Sequence, residues 1–476
     1  MNKPKVSVVI PAYNGGEYLA EAIQSVLDQS YPHFELIVVD DCSPAGASEI
    51  MARFSDPRLR FIVQSENLGA VAARKTGVDA ATGEIIAFLD QDDLFHPEKL
   101  ATHVAFLEAH PEIGVSYNSR FECNGDAKTI RSIWQPPTTM TLSDLVLGFP
   151  FAPSDTVVRR ELAQRDELWD QSYVRTGAEK IFNGAEIIFG GRLALVGQKM
   201  ADVGRTLNYR RYHPRRKFSD LAARCQAEQD CQELILSDSR CPAAVGALRH
   251  RAFTNIYLSW IYYAFTQGET AIGQSFVRKA IALTPTILQG EPSELVGYFV
   301  DNIANDSSLE IAETLTQSLA QLPPDLAITR TQLDWAIGRG YLIRAMQAMV
   351  WDRPEQGEAY LAQADQFDAQ VDEAVVQSLT YQLFLYQEAN GVEATENVLR
   401  RLAAHYPHLG RIQNRRWISG YFAVNRAFRR YQTGEFSAVP RQVVQAVTNH
   451  PQYLFNRGVI AILFRSLSSL QPRFGV

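Results

Sequence analysis

The apolar run Ile85-Ile86-Ala87-Phe88-Leu89 gives way directly to Asp90-Gln91-Asp92-Asp93, and this junction constrains the chain more than any other stretch of it. Five successive apolar residues leave no solvated face, so the segment reads as a strand buried on both sides. Strands of that kind belong to parallel sheets, and in open α/β folds ligands sit outside the carboxyl ends of such strands. Three carboxylates gathered there repel one another unless a divalent cation or a polar ligand compensates. A Mg2+ or Mn2+ site holding phosphate oxygens meets that need. A solvated acidic turn, with Asp93 capping a helix after Pro97, is the plainer alternative.

Earlier strands end in the same way. Val6-Ser7-Val8-Val9-Ile10 stops at the turn residues Pro11-Ala12-Tyr13-Asn14-Gly15-Gly16. A helix is expected from Glu17 to Gln29, because Leu19, Ala22, Ile23, Val26 and Leu27 recur at steps of three and four and form one stripe. Leu36-Ile37-Val38-Val39 then ends in Asp40 and Asp41, with Ser43 placed to cap a helix reaching about Phe54. A third strand, Phe61-Ile62-Val63, leads through Asn67-Leu68-Gly69 into a helix carrying Ala72, Ala73 and Arg74. Strands alternating with helices at this spacing predict an α/β fold, a mostly parallel sheet flanked by helices. Asn14, Asp40, Asp90 and Asp92 would then share one rim.

Four pieces, in this order, carry a resemblance: Val8-Val9-Ile10-Pro11-Ala12-Tyr13-Asn14; Ile37-Val38-Val39-Asp40-Asp41-Cys42-Ser43; Asn67-x-Gly69 with Ala73-Arg74; and Phe88-Leu89-Asp90-Gln91-Asp92-Asp93 followed by Pro97. They resemble the family 2 glycosyltransferases, which have the glycosyltransferase A fold and are mostly inverting enzymes dependent on nucleotide sugars. The likeness covers residues 4 to 217 and is strongest before residue 115. It implies a catalytic domain over residues 1–218. Pro11, Ala12, Tyr13 and Asn14 would line the nucleotide site, Asp40 would accept from a uracil base, and Arg74 would reach across to it. Asp90 would contact the ribose or a metal, Asp92 would bind Mn2+ or Mg2+ directly, and His213 would complete the metal's shell. Arg211 and Arg215, in the basic run Tyr209–Lys217, would close over the diphosphate from a mobile segment.

The resemblance frays at the base. Inverting transfer needs a carboxylate to deprotonate the acceptor hydroxyl, and the family draws it from an acidic pair opening a helix. Here the stretch is Asn183-Gly184-Ala185-Glu186-Ile187, so Glu186 matches the first acid and isoleucine holds the usual base position. Three readings stand: Glu186 as base, Asp155 or Asp202 in its place, or a catalytically silent nucleotide-sugar-binding or scaffold protein. Trp134 is a candidate for stacking on a sugar.

The absence of Gly-x-Gly-x-x-Gly after the first strand argues against a nicotinamide enzyme. Leu94, Phe95 and Ala101 exclude an EF-hand at the acidic turn. The net charge of −7 argues against nucleic acid as a partner, and five scattered cysteines read as free thiols of a reducing compartment. With no signal peptide or membrane span, the expectation is a cytoplasmic protein, peripheral at the inner membrane face if its basic clusters meet lipid.

From Asp220 onward helical periodicity takes over, and residues 219–476 are expected to form an all-α domain. Gly268, Ala280 and Pro285 repeat the spacing of Gly434, Ala446 and Pro451, which resembles half of a tetratricopeptide repeat. Such a domain offers a surface for a protein partner, for self-association, or for a lipid-linked or glycan acceptor. Arg400, Arg401, Arg411, Arg415, Arg416, Arg426, Arg429 and Arg430, interleaved with Trp417, Tyr421, Phe422 and Phe428, are the candidates for contact with an anionic surface.

Overall fold

The computed structural model describes residues 5–44, 47–137, 139–148, 152–169, 185–212, 220–405, 412–432 and 435–469. Its strands are β1 (Val6–Ala12), β2 (Phe34–Asp40), β3 (Leu59–Val63), β4 (Ile85–Phe88), β5 (Leu94–Phe95), β6 (Ile113–Cys123), β7 (Ile130–Trp134), β8 (Thr139–Met140), β9 (Thr156–Arg159) and β10 (Lys199–Arg211). They form one sheet in the order β3-β2-β1-β4-β9-β6-β10-β5, with β7 beside β6 and β8 beside β10. The first four strands are parallel, and β9 enters antiparallel between β4 and β6.

Both faces of β1 are covered, and every residue of the strand is buried, Ser7 included. Val6, Val8 and Ile10 pack with Leu19, Ile23 and Val26 of the helix Gly16–Leu27. Val9 faces the other way, with Val39, Phe88 and the helix Ala70–Ala80. A Cβ at Gly77 would fall 2.4 Å from Val9 Cγ1, so that helix can lie this close to β1 only because residue 77 is glycine.

The helix expected to be capped by Ser43 is short, Ala47–Met51. Ser43 is committed elsewhere: its hydroxyl donates to Asp40 Oδ1 at 2.5 Å and receives the Asn14 amide at 3.0 Å.

Two compact units emerge, residues 1–337 and 338–476. Strands end and helices begin near residue 220, yet the helices as far as Ile337 group with the sheet. One reason is visible at β7. Arg131 stacks on the Tyr212 ring at 4.1 Å and donates to the Asn305 carbonyl at the end of the helix Glu294–Asn305. Tyr212 in turn donates to the Asp306 carboxylate.

The second unit is helical. Ala423, Ala427, Val443, Ala446, Val459 and Ile462 form a core among the helices Ile412–Gln432, Val439–Asn449 and Arg457–Ser469. The Ala-to-Pro half of the repeated spacing has the same local form in both places. Ala280 and Ala446 are fully buried, and each accepts from the residue before the proline, Thr284 at 2.9 Å and His450 at 2.8 Å. Gly268 makes its turn at φ +80°, while Gly434 lies outside the described residues. Among the described residues, no helix is long and apolar enough to cross a membrane.

Candidate active site

The carboxyl ends of β1, β2 and β4 meet at one rim, held by side chains acting as extra backbone. Gln91 accepts from the Tyr13 amide at 2.8 Å and donates to the Tyr13 carbonyl at 2.9 Å, which fastens the loop after β1 to the acidic turn after β4. Asp41 receives the amides of Leu68 and Gly69, both at 2.7 Å, and the Gln64 side chain at 2.7 Å. It thereby fixes the turn that starts the helix Ala70–Ala80 and aims Arg74. Neither residue stood among the expected site residues. Their signal was present, in a polar residue within the acidic turn and a second acid at the end of β2.

Pro11 and Ala12 complete β1 and are buried, whereas Tyr13 is 42% exposed and Asn14 takes a left-handed φ of +51°. Asp40 is buried beneath Ser43. Arg74, expected beside the base with Asp40, is buried and ends on Asp90, Nη2 to Oδ1 at 2.6 Å.

Asp90 is 28% exposed at its side chain, and Asp92 is half-buried. Asp93 is buried, accepting from Ser154 Oγ at 2.7 Å and from the Arg211 amide at 3.2 Å. Ser154 also receives the Asp90 amide at 3.0 Å, so one hydroxyl ties both ends of the turn. Burial, followed by the charges of Asp90 and Asp92, pushes the Asp93 carboxyl well above the ordinary range, against the pull of Arg210 and Ser154. Three carboxyl groups are thus crowded into one turn at the carboxyl rim, the kind of donor set a divalent cation takes. Among the described residues no three His, Cys, Asp or Glu side chains form a cage. Asp90 and Asp92 suit a Mg2+ or Mn2+ ion that keeps water and phosphate oxygens in its remaining positions. His213 and Arg215 lie outside the described residues.

Arg211 does not stand where the diphosphate expectation puts it. It is in β10, not a mobile segment, and its guanidinium is buried against Glu21, the Asp92 carbonyl at 3.0 Å and the Tyr18 ring at 4.8 Å. Its neighbour Arg210 is the half-exposed cation, 49% exposed at the side chain and 3.8 Å from Glu122. Desolvation opposes the Arg210 charge, but the carboxylates of Glu122 first, then Asp93, Asp155 and Asp90, outweigh it and raise its pKa.

Glu186 lies in the first turn of the helix Ala185–Leu195, and its side chain is outside the described set. Asp155 is fully buried, accepting from the Ala152 amide at 2.7 Å, Arg120 at 2.5 Å and Asn208 at 3.0 Å. A carboxylate so occupied anchors the entry to β9 and has little left with which to accept a substrate proton. Asp202 is 1% exposed, within β10. Trp134 carries the Arg120 guanidinium over its ring at 3.9 Å, so one face is already covered.

The fold is of the mostly parallel α/β class, in which ligands bind outside the carboxyl ends of the strands, the rim at which these acids gather. Residues 7–165 match the family described as Glycosyl transferase family 2, and this part of the chain is a domain of that family. TuaG of Bacillus subtilis, provisionally named a teichuronic acid biosynthesis glycosyltransferase, is 42% identical over 107 residues, 22% of this chain and 42% of TuaG. The succinoglycan biosynthesis protein ExoO of Rhizobium meliloti is 41% identical over 106 residues, 22% of this chain and 30% of ExoO. The chain thus spans less than half the length of these relatives. A crystal structure of S. aureus TarS 1–349 in complex with UDP-GlcNAc aligns over 76% of this chain and 92% of that one, at 15% identity and a TM-score of 0.42.

Proposed function

We propose that this chain is an inverting, metal-assisted glycosyltransferase that moves a sugar from a nucleotide donor, most simply a UDP-sugar, to a glycan or lipid-linked acceptor. The observation that carries it is the acidic turn that follows β4, where Asp90 and Asp92 stand partly exposed beside the buried Asp93 at the carboxyl rim of the sheet. Asp40, Tyr13 and Asn14 would receive the base and ribose, with Arg74 holding Asp90 in place. Arg210 takes the diphosphate role first given to Arg211. Asp92 and Asp90 would hold Mn2+ or Mg2+, which when bound neutralises charge on the departing diphosphate. Glu186 would remove the acceptor proton. The kinship with proteins named for teichuronic acid and succinoglycan biosynthesis supports a glycan acceptor. We place the catalytic domain over residues 1–218, with the helices as far as Ile337 bracing it.

Ile187, beside Glu186, favours a second reading, a protein that binds the nucleotide sugar and does not turn it over. Titration with UDP by calorimetry, with and without Mn2+, followed by hydrolysis of a panel of UDP-sugars, separates the two. Metal-dependent binding with slow hydrolysis is expected. Binding without hydrolysis, and without transfer to any glycan offered, would favour the silent reading, and absence of UDP binding would remove the donor assignment.

A further inference from the structure

We propose that the turn Pro451–Phe455 and the helix Arg457–Ser469 form a docking face for an anionic lipid bilayer. The aromatics interleaved with the arginine cluster do not supply that face. Phe422 is buried, Phe428 packs against the core of the second unit, and Trp417 stacks on Tyr421 at 5.9 Å. Several of the arginines also turn to partners inside this unit: Arg401 to Asp352 at 3.1 Å, Arg426 to Gln387, and Arg429 over the Phe384 ring at 5.1 Å.

The exposed apolar side chains lie further along. Phe455 is 85% exposed, Phe464 67% and Leu454 55%, followed by Leu467 and Ile460. On the helix, Ile460, Phe464 and Leu467 are spaced four and three apart and share one stripe, while Val459, Ile462 and Ser466 turn into the core. A helix apolar on both sides has one face that its own unit does not bury.

Charge selects what covers that face. Residues 400–476 hold twelve arginines, no lysine and a single acidic residue, Glu435, in a chain whose net charge is −7. Arg457 and Arg465 are exposed on the same helix. A second copy would bring two arginine-rich regions together. A nucleic acid or a soluble glycan answers the charge, but leaves Leu454, Ile460 and Leu467 without an apolar partner. A bilayer surface rich in anionic headgroups meets both, taking the apolar stripe to the acyl boundary and the arginines to the phosphates.

The test is flotation of the full chain with vesicles of phosphatidylcholine alone and of phosphatidylcholine mixed with phosphatidylglycerol. Recovery with the anionic vesicles only, falling with added salt, is expected. Phe455→Ser and Phe464→Ser should each weaken it about tenfold, with UDP binding and circular dichroism unchanged. Phe464→Trp should keep the affinity and shift its emission to the blue on vesicles. Equal recovery with neutral vesicles, no recovery with either, or a dimer in solution dispersed by the serine variants would overturn the proposal.

Discussion

Glu35, at the start of β2, and Asp93, just past the end of β4, are both buried in the same sheet, yet their charges fare oppositely. Burial works against the Glu35 charge. It is outweighed by hydrogen bonds from Ser7 at 2.6 Å, the Thr82 amide at 2.7 Å and hydroxyl at 2.8 Å, and Arg60 at 3.1 Å, which hold the carboxyl at about 2. Asp93 has two donors and two like charges, and is pushed up. The Glu35 charge is thus met by its own donors, while Asp93 sits beside two like charges with fewer donors to offset them. Depth of burial does not separate a structural acid from a working one; the supply of donors does.

If that division is right, substitutions at the carboxyl rim should cost activity without stability, and those at the amino end the reverse. Glu186→Gln has the largest expected effect, a fall in transfer of about 10²–10⁴-fold with UDP affinity unchanged. Steady-state rates beside calorimetry check it, and full activity would move the base elsewhere. Asp92→Asn should lower transfer about 10²–10³-fold and make UDP binding indifferent to Mn2+, with an unaltered melting curve; Mn2+ dependence that survives would remove Asp92 from the metal.

Glu35→Gln tests the other end. The folded carboxyl lies near 2 against an ordinary 4.5, so its stabilisation is complete above 4.5 and is lost as pH falls towards 2. The variant should be about 3 kcal/mol less stable at neutral pH and should match the parent near pH 2. Urea unfolding across that range decides it, and a difference independent of pH would mean that packing, not charge, is the contribution.

The sheet and its acid-bearing rim were legible because an apolar run with no polar face leaves few choices, and Asp90 and Asp92 follow from where the run stops. Partners were not legible. That Ser43 serves Asp40 and not a helix, or that Gln91 grips Tyr13, depends on how the ends of separate strands are brought together in space. Asp155 looked available because a sequence does not show that Arg120 and Asn208 converge on it. The arginines of β10 failed for a different reason. The run Tyr209–Lys217 reads as a mobile basic segment, whereas its first three residues end β10, paired with Phe121, Glu122 and Cys123 of β6, and that pairing over a long sequence separation fixes which arginine is buried.

Arg210 and Arg211 therefore make the most economical test of the rim's geometry. They are adjacent on a strand, chemically identical, and on opposite sides: one half-exposed in the field of Asp93 and Asp90, the other buried between Glu21 and the Asp92 carbonyl. Arg210→Gln should weaken UDP about tenfold with a smaller fall in melting temperature than at Arg211, because its side chain is half-exposed. Arg211→Gln should leave the intrinsic affinity close to that of the parent and lower the melting temperature, because it removes the donor that holds the Asp92 carbonyl. The reverse pattern, measured by calorimetry and thermal unfolding on the same preparations, would mean that β10 presents its other face to the nucleotide.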